Sequence, residues 1–450
     1  MQALLTGAKT FRHGIHPDDY KRFTRDLPIE RMPFMDEVVL PLSQHLGAPS
    51  RALVKPGEKV YRGQIIAEPG GFVSVGLHAS MTGRVKAIEL RHHPGGKMVE
   101  SIIIEKDPYS PQTLFHEQRI DWEGLSPQAL LALIQQAGFV GLGGAAFPTH
   151  VKLAVPEGKK AEFLIVNGVE CEPYLTSDHR VMLEDPAAIF RGIRIYQKIL
   201  NVKKVYIGIE TNKSDAIERL RTQIPADMDC EIVPLKTKYP QGAEKMLIEA
   251  VLHRQVPSGK LPIDVHVLVN NVGTIAGIGN LFEYGQPLIE RVVTVTGPGI
   301  ERPANLLVPI GTRLIDVLDY CGGLKDHTRQ ILFGGPMMGA PQIHLDVPIM
   351  KGTSGILCLT NREVQVREEY PCIRCLRCVD VCPVYLNPSR LGALAKTRNY
   401  EDMMQYHVLD CVECGSCSYV CPSNIPLVQR FRVAKALLRE QQAKKKKEGK

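Results

Sequence analysis

The 450-residue sequence contains no run of about eighteen apolar residues, so a membrane-spanning helix is not expected. Its first residues, MQALLTGAKTFRHGIH, have neither a long apolar stretch nor a small-residue cleavage site, so a secretory signal is not expected either. The sequence therefore predicts a cytoplasmic protein. In that compartment thiols stay reduced, and clustered cysteines usually bind metal or take part in catalysis.

Outside its C-terminal end the chain also lacks net charge. The formal charge is +7, and residues 430–450, with nine Lys or Arg and two Glu, account for all of it. A neutral remainder without a helix–turn–helix pattern or an aromatic-interleaved basic patch argues against a redox-sensing nucleic-acid binder. We predict that the basic tail, residues 441–450, is a solvated disordered end. Attraction to an anionic membrane face or to an acidic partner protein is the alternative.

Strand and helix patterns predict a multidomain α/β and β protein. After an N-terminal segment comes a region similar to the barrel-sandwich of lipoyl and biotinyl carriers. Its hairpin tip, EPGGFVSV, has no lysine to modify, so the module is expected to be structural or partner-binding. An α/β domain with a largely parallel sheet, a β-grasp unit and short helices around cysteine motifs follow. The predicted ranges are 1–30 for the N-terminal segment, 31–115 for the barrel-sandwich, 125–290 for the α/β domain, 291–350 for the β-grasp unit and 362–440 for the cysteine-rich helices.

Eight of the twelve cysteines form two copies of C-x2-C-x2-C-x3-C-P, offset by 39 residues. In two-cluster bacterial ferredoxins three cysteines of one run and the last cysteine of the other bind each [4Fe–4S] cluster. Zinc sites instead use two separated C-x2-C pairs, which makes zinc the weaker alternative. The four isolated cysteines are expected to be small buried apolar residues. We predict one cluster on Cys372, Cys375, Cys378 and Cys421, and another on Cys382, Cys411, Cys414 and Cys417.

A glycine-rich loop, GFVGLGGAAFPTHVKL, starts at Gly138. It matches G-x-G-x-x-A, but a helix pattern precedes it where an ordinary dinucleotide fold has a strand. Glycines still let the backbone approach a flat ring or a phosphate, with Phe147 stacking and Lys152 meeting the phosphate; a tight structural turn is the alternative. Three further segments place polar side chains and glycines at a likely strand end or helix start, where parallel sheets bind their ligands. They are NGVECEPY, KYPQGAEKM and VNNVGTIAG.

In this order the four segments resemble the flavin-bearing NADH-oxidising subunit of respiratory complex I. From about residue 30 to 440, the chain resembles the C subunit of the Rnf-type ion-translocating oxidoreductases more closely still. The resemblance implies FMN, NADH and two [4Fe–4S] clusters. It also implies electron transfer to membrane-embedded and iron–sulfur partner subunits, with ferredoxin as a further candidate partner, coupled to Na⁺ or H⁺ transport. The expected location is the cytoplasmic face of the bacterial inner membrane, as a peripheral protein held by its partners.

The resemblance also implies site residues. Phe147 would stack on the nicotinamide nucleotide, and Glu172 and Glu244 would hydrogen-bond nucleotide or flavin. Glu170 is a further cofactor-binding candidate from its position alone, because it follows a likely strand end at Asn167. FMN would be held by Gly141, Gly143, Lys152, Asn167, Tyr239, Gly242, Asn270, Asn271 and Thr274.

This chain departs from the complex I pattern at several places. That pattern has acidic residues at Val169, Ala243 and Gly273, and an arginine at Leu142. Losing acidic groups near the flavin would weaken NADH binding or change the flavin potential. The departures keep one alternative open, a non-enzymatic iron–sulfur relay adaptor that binds no flavin.

Overall fold

The computed structural model describes residues 7–448, with side chains described as far as Lys444. The strands lie in four sheets, which correspond to a two-sheet sandwich, an α/β layer and a mixed sheet. In chain order the strands are β1 (Ile29–Arg31), β2 (Glu37–Pro41), β3 (Arg51–Ala52), β4 (Lys59–Val60), β5 (Ile65–Glu68), β6 (Leu77–His78), β7 (Gly83–His92), β8 (Met98–Lys106), β9 (Phe163–Asn167), β10 (Lys204–Glu210), β11 (Cys230–Leu235), β12 (Val267–Asn271), β13 (Glu290–Thr296), β14 (Ala304–Pro309), β15 (Thr328–Phe333), β16 (Ala340–Pro341) and β17 (Gly355–Thr360).

The α-helices belong mainly to the α/β layer and to the cysteine-rich C-terminal region. Short 3-10 segments at Lys21–Phe23, Thr211–Lys213, Pro262–Val265 and Val408–Asp410 complete the regular structure. The helices are α1 (Pro127–Gln136), α2 (Thr149–Leu153), α3 (Ser177–Glu184), α4 (Pro186–Leu200), α5 (Ser214–Arg221), α6 (Glu244–Leu252), α7 (Val272–Tyr284), α8 (Leu314–Tyr320), α9 (Arg377–Asp380), α10 (Pro388–Lys396), α11 (Tyr400–Gln405), α12 (Ser416–Tyr419) and α13 (Leu427–Glu448). None of these helices combines the length and apolar character needed to cross a bilayer.

The N-terminal sandwich pairs the sheet β2-β8-β7-β4 with the smaller sheet β3-β5-β6. Strand β8 lies between β2 and β7, and Ile102 and Ile104 on it are fully buried. They pack in one core with Leu40 and Ile66, whose side chains are also fully buried. This is the barrel-sandwich that the short, glycine-punctuated strands predict.

The lysine-free hairpin tip of the sandwich docks on the α/β layer. Gln135 on α1 donates from Nε2 to the Ser74 carbonyl at 3.1 Å, and His150 on α2 pairs through Nε2 with the Phe72 carbonyl at 2.8 Å. A Cβ atom at Gly76 would overlap the Gln136 carbonyl oxygen, so only glycine allows this close approach. The tip therefore makes an interdomain contact within the chain.

The α/β layer is built on an all-parallel sheet in the order β11-β10-β9-β12. The sequence predicts this sheet from apolar runs separated by helical patterns. Helices begin at recognisable caps: Ser126 accepts from Ala129 N at 3.2 Å, and Asn271 accepts from Thr274 N at 3.2 Å. Because the strands are parallel, their carboxyl ends lie on one edge of the sheet, where ligands bind in such folds.

The third unit is a sheet of order β1-β14-β13-β17-β15-β16, with α8 packed on it. Two of its strands, Ile29–Arg31 and Gly355–Thr360, lie outside the range 291–350 that the sequence predicts for the β-grasp. The second of these is buried along its whole length between β13 and β15. A short apolar strand distant from its partners gives no local signal of the sheet it joins.

A buried lysine links these three units. Lys351 is 1% exposed, and its Nζ donates to the Gly76 carbonyl at 2.8 Å and the Gly138 carbonyl at 2.7 Å. Burial lowers the pKa of this amine to about 7. The two carbonyls accept hydrogen bonds from the amine, so this buried polar group has partners in the interior.

The C-terminal region repeats one pattern, in which each cysteine run leads into a one-turn helix, a Cys-Pro step and then a longer helix. The second of these longer helices, α13, continues to Glu448. The predicted disordered end is therefore wrong for residues 441–448, while residues 449–450 lie outside the described part. Gln, Ala, Lys and Glu are strong helix formers, and Glu440 pairs with Lys444 at 2.9 Å one turn away.

Candidate functional site

The four thiols predicted for the first cluster line one surface cavity of about 150 Å³. Cys372, Cys375 and Cys378 come from the first run, and Cys421 reaches the cavity from the second run. Cys372 and Cys375 are exposed, while the other two are partly buried. The chain fold thus brings together a set that crosses between the two motifs.

The other four thiols gather deeper in the protein. Burial raises the pKa of the Cys417 thiol, and the nearby thiols of Cys414, Cys411 and Cys382 raise it further. Burial likewise raises the pKa of Cys411 to about 11. Crowded buried thiolates are costly unless a cation compensates them, and soft iron atoms suit sulfur ligands. Both sets therefore fit [4Fe–4S] clusters.

The candidate flavin site lies at the carboxyl edge of the parallel sheet. Asn167 and Asn271 are register partners at the ends of β9 and β12. The Asn271 side chain starts α7, and Leu142 in the glycine-rich loop donates its backbone N–H to Thr274 Oγ1 at 2.9 Å. A Cβ at Gly143 would lie 3.1 Å from Asn271 Nδ2. The loop is thus held against the N-terminus of a helix, where a phosphate would be stabilised.

One side of the glycine-rich loop is open. A Cβ at Gly144 would have no neighbour within 4 Å, and one at Gly141 would meet only the Phe147 carbonyl at 3.7 Å. The Phe147 side chain is 37% exposed beside it. A flat ring could approach this backbone closely, which is the property that a flavin or nicotinamide site requires.

Two of the four charged side chains expected at the cofactor meet each other. Lys152 on α2 forms an ion pair with Glu244, the first residue of α6, and both side chains remain about one-third exposed. Near them, Asn167 donates from Nδ2 to the Gly242 carbonyl at 2.9 Å. The residues of the four sequence segments therefore converge on one edge of the sheet.

Two other predicted residues have partners within the protein. Glu170 caps α3, accepting from Asp178 N at 2.8 Å and His179 N at 3.2 Å. The Asn270 side chain donates to Tyr196 Oη at 2.8 Å inside the core. Glu170 and Asn270 thus make their contacts within the protein. Their roles toward a cofactor remain predictions.

Glu172 joins the α/β layer to the third sheet. Its carboxylate accepts from Met337 N at 3.1 Å and Met338 N at 3.0 Å. Burial raises its pKa to about 7, and the two N–H donors partly offset that effect. The contact fixes the loop 334–339 over the same edge of the sheet.

Sequence reasoning missed Asp178, which lies directly behind the candidate flavin site. It accepts from Asn271 Nδ2 at 2.7 Å. Burial and the neighbouring Glu170 raise its pKa to about 7. A Cβ at Gly273 would lie 3.3 Å from Asp178 Oδ1, so an acidic side chain at position 273 would crowd this carboxylate. The only sequence signal was an acid in the first turn of a helix.

The flavin and cluster regions touch through a small apolar contact that includes one side-chain hydrogen bond. Tyr239, 1% exposed, donates from its hydroxyl to the Cys414 carbonyl at 2.8 Å. Ile15 packs with both residues, and Cys171 and Met337 border the same apolar contact. The thiol set that includes Cys414 therefore faces the α/β layer, and the set around Cys372 faces solvent.

This fold and these sites define a flavin-binding iron–sulfur electron-transfer protein. Four family models match successive parts of the chain: the RnfC Barrel sandwich hybrid domain at 9–109, the Nuo51 FMN-binding domain at 134–280, the SLBB domain at 292–341 and the 4Fe-4S dicluster domain at 371–425. They confirm the predicted fold class, FMN and the [4Fe–4S] clusters, and NADH fits the second of these domains.

Curated relatives then give the family. The C subunit of the proton-translocating ferredoxin:NAD(+) oxidoreductase complex from Clostridium ljungdahlii is 47% identical, over 95% of this chain and 94% of its own length. The corresponding protein of the Na(+)-translocating complex from Acetobacterium woodii is 43% identical over 95% and 96%. The C subunit of the Rhodobacter capsulatus ion-translocating oxidoreductase complex is 41% identical over 97% and 84%. The chain belongs to this family, the C subunits of ion-translocating oxidoreductase complexes, as its sequence segments predict.

Proposed function

We propose that this chain is the peripheral NADH-oxidising subunit of an ion-translocating ferredoxin:NAD⁺ oxidoreductase on the cytoplasmic face of the membrane. The observation that carries the proposal is the Tyr239–Cys414 hydrogen bond, because it joins the candidate flavin edge directly to one thiol set. The names of the relatives support the coupling to ferredoxin and ion transport. The membrane-embedded and iron–sulfur subunits of the same complex are the expected partners.

The chain's own residues would bind and orient the cofactors. The open backbone around Gly144 would lie against the ring system, and Asn271 and Thr274 would direct the N-terminus of α7 toward a phosphate. Lys152 would leave Glu244 to meet a phosphate or nucleotide charge. When bound, FMN accepts a hydride from NADH, and the iron–sulfur clusters accept its electrons one at a time. Hydride transfer needs aligned rings and no side-chain acid or base.

The thiol arrangement supports an order of transfer. The cluster on Cys382, Cys411, Cys414 and Cys417 would be nearer the flavin, and the cluster on Cys372, Cys375, Cys378 and Cys421 would be nearer the surface. Around the outer cavity Ile373 is 67% exposed, with exposed Leu376, Arg374 and Arg377 beside it. This apolar centre with a basic rim suits an electron-transfer partner that carries acidic residues.

Cofactor content tests the proposal against the relay adaptor. We expect anaerobically prepared full-length protein to contain one FMN and about eight irons per chain, and its flavin and cluster absorbance to bleach on adding NADH. Iron without flavin would favour the adaptor. Two features make this outcome worth testing: Lys152 is paired with Glu244, and Val169 is buried among apolar residues. Zinc in place of iron would overturn both functions.

Replacing Tyr239 by phenylalanine should slow reduction of the inner cluster by the flavin while both clusters remain bound. The substitution leaves the buried Cys414 carbonyl without its donor, so we also expect a loss of about 1 kcal/mol in the free energy of unfolding. Rapid mixing with NADH measures flavin and cluster bleaching separately. Tyr109→Phe, at a side chain that is 96% exposed, is the control. Unchanged cluster kinetics in Tyr239→Phe would contradict the proposed contact route.

A further inference from the structure

Three side chains that can ligate a metal meet where the barrel-sandwich faces the third sheet. His92 is the last residue of β7, and His344 and Asp346 follow β16. One ligand atom from each residue lies within 4.8 Å of the others. None of these residues belongs to the flavin or cluster sites, so the proposed function does not explain the grouping.

The backbone on both sides of this cluster, His92/His344/Asp346, is fixed. His92 is paired with Met98 across the β7–β8 hairpin. On the other side, Gln342 N donates to the Ile331 carbonyl at 2.9 Å, and the Leu345 carbonyl accepts from Ile315 N at 2.8 Å. Hydrogen-bonded backbone therefore holds the three side chains near one another.

The three side chains already touch one another, and the two rings must rotate out of their stack to bind one ion, because the in-plane lone pairs of parallel rings do not converge on one point. His92 Nδ1 lies 2.8 Å from Asp346 Oδ2, and the His92 and His344 rings are parallel within 4° with centroids 3.9 Å apart. Imidazole nitrogen and carboxylate oxygen are both common metal ligands in proteins. The side chains of His92 and Asp346 are 37% and 46% exposed, so an ion from solution can reach them.

We propose that His92, His344 and Asp346 bind one Zn²⁺ ion that joins the barrel-sandwich to the third sheet. Two imidazole nitrogens and one carboxylate oxygen are a donor set that zinc accepts, with a fourth position left for water. Because the ligands come from two domains, the ion would bind the folded arrangement and not the separated domains. Zinc should therefore stabilise the assembled chain.

Equilibrium dialysis of Zn²⁺ against the full-length, cluster-loaded protein tests this site, since the eight motif cysteines are then occupied by iron. We expect one Zn²⁺ per chain without loss of iron, and at least about tenfold weaker binding in His344→Ala. His327→Ala, at an exposed histidine beside the same sheet, is the matched control and should bind as the wild type. Zinc should also raise the melting temperature of the wild type and of the control but not of His344→Ala.

X-ray absorption at the zinc edge identifies the ligands independently. Nitrogen and oxygen neighbours with the outer-shell pattern of imidazole would support the site. Sulfur neighbours would mean that zinc has entered a cysteine site, and equal affinity in His344→Ala and wild type would mean that the three residues form only an interdomain hydrogen bond and ring stack. Either result would overturn the proposal.

Discussion

Replacing Cys421 by alanine should remove the outer cluster and lower the iron content from about eight to about four per chain. The expectation is specific because Cys421 belongs to the second cysteine run, whereas the other lining thiols, Cys372, Cys375 and Cys378, belong to the first. A cubane that loses one of four thiolate ligands is exposed to water and oxidation at one iron. Iron and sulfide analysis after anaerobic purification, with the EPR spectrum of the reduced protein, measures the loss.

The reciprocal substitution is Cys382→Ala, which should remove the inner cluster although Cys382 lies in the first run. Its thiol lies among those of Cys411, Cys414 and Cys417. In this variant NADH should still bleach the flavin, but electrons should not reach the outer cluster. Cys230→Ala, at a partly buried cysteine outside both motifs, should keep all the iron. If Cys382→Ala instead removed the cluster on Cys372, Cys375 and Cys378, each run would bind its own cluster and the crossed assignment would be wrong.

The sequence predicts the parts of this protein whose signals are local. The two cysteine runs encode their ligand type in their spacing, and the parallel sheet follows from apolar runs of strand length separated by amphipathic helices. The barrel-sandwich likewise follows from short strands and glycine turns. In each case the residues that carry the information lie within a few positions of one another in the chain.

The local sequence does not show which distant groups meet in the fold. Nothing around Tyr239 indicates a hydrogen bond to a cysteine carbonyl 175 residues later. Lys351 has the sequence context of an ordinary surface lysine, yet it is buried against the carbonyls of two other domains. A lysine amine or a tyrosine hydroxyl is usually expected at the surface. Whether it is buried instead depends on tertiary packing rather than on its neighbours in sequence.

The predicted site residues divide in the same way. Asn271 and Gly143 meet at the edge of the sheet, as their positions in the quoted segments suggest. Glu170 is predicted from its charge and its place after a strand, and in the structure that charge caps α3. Asp178, which the same cap holds in place, is not among the predicted residues. A carboxylate in a motif shows where charge is available, and only the fold decides whether it faces a ligand or a helix.

Adding a side chain at Gly144 gives the sharpest test of the flavin site. A Cβ at this position meets nothing within 4 Å, and the backbone there does not have the positive φ that only glycine accepts readily. Gly144→Leu should therefore fold with the stability of the wild type. If the ring system lies against this backbone, the leucine side chain occupies its space. We expect the affinity for FMN to fall at least about tenfold, which corresponds to about 1.4 kcal/mol.

Gly124→Leu is the matched control, since Gly124 also lies in an exposed turn and its Cβ would also meet nothing within 4 Å. Fluorescence titration of flavin-depleted protein with FMN gives both affinities, and thermal unfolding compares the two variants. Weaker flavin binding in Gly144→Leu alone, at equal stability, locates the ring at the glycine-rich loop. Equal affinity in both variants would mean that the loop is only a structural turn. The Lys152–Glu244 pair would then be a permanent ion pair rather than a pair that opens for a phosphate.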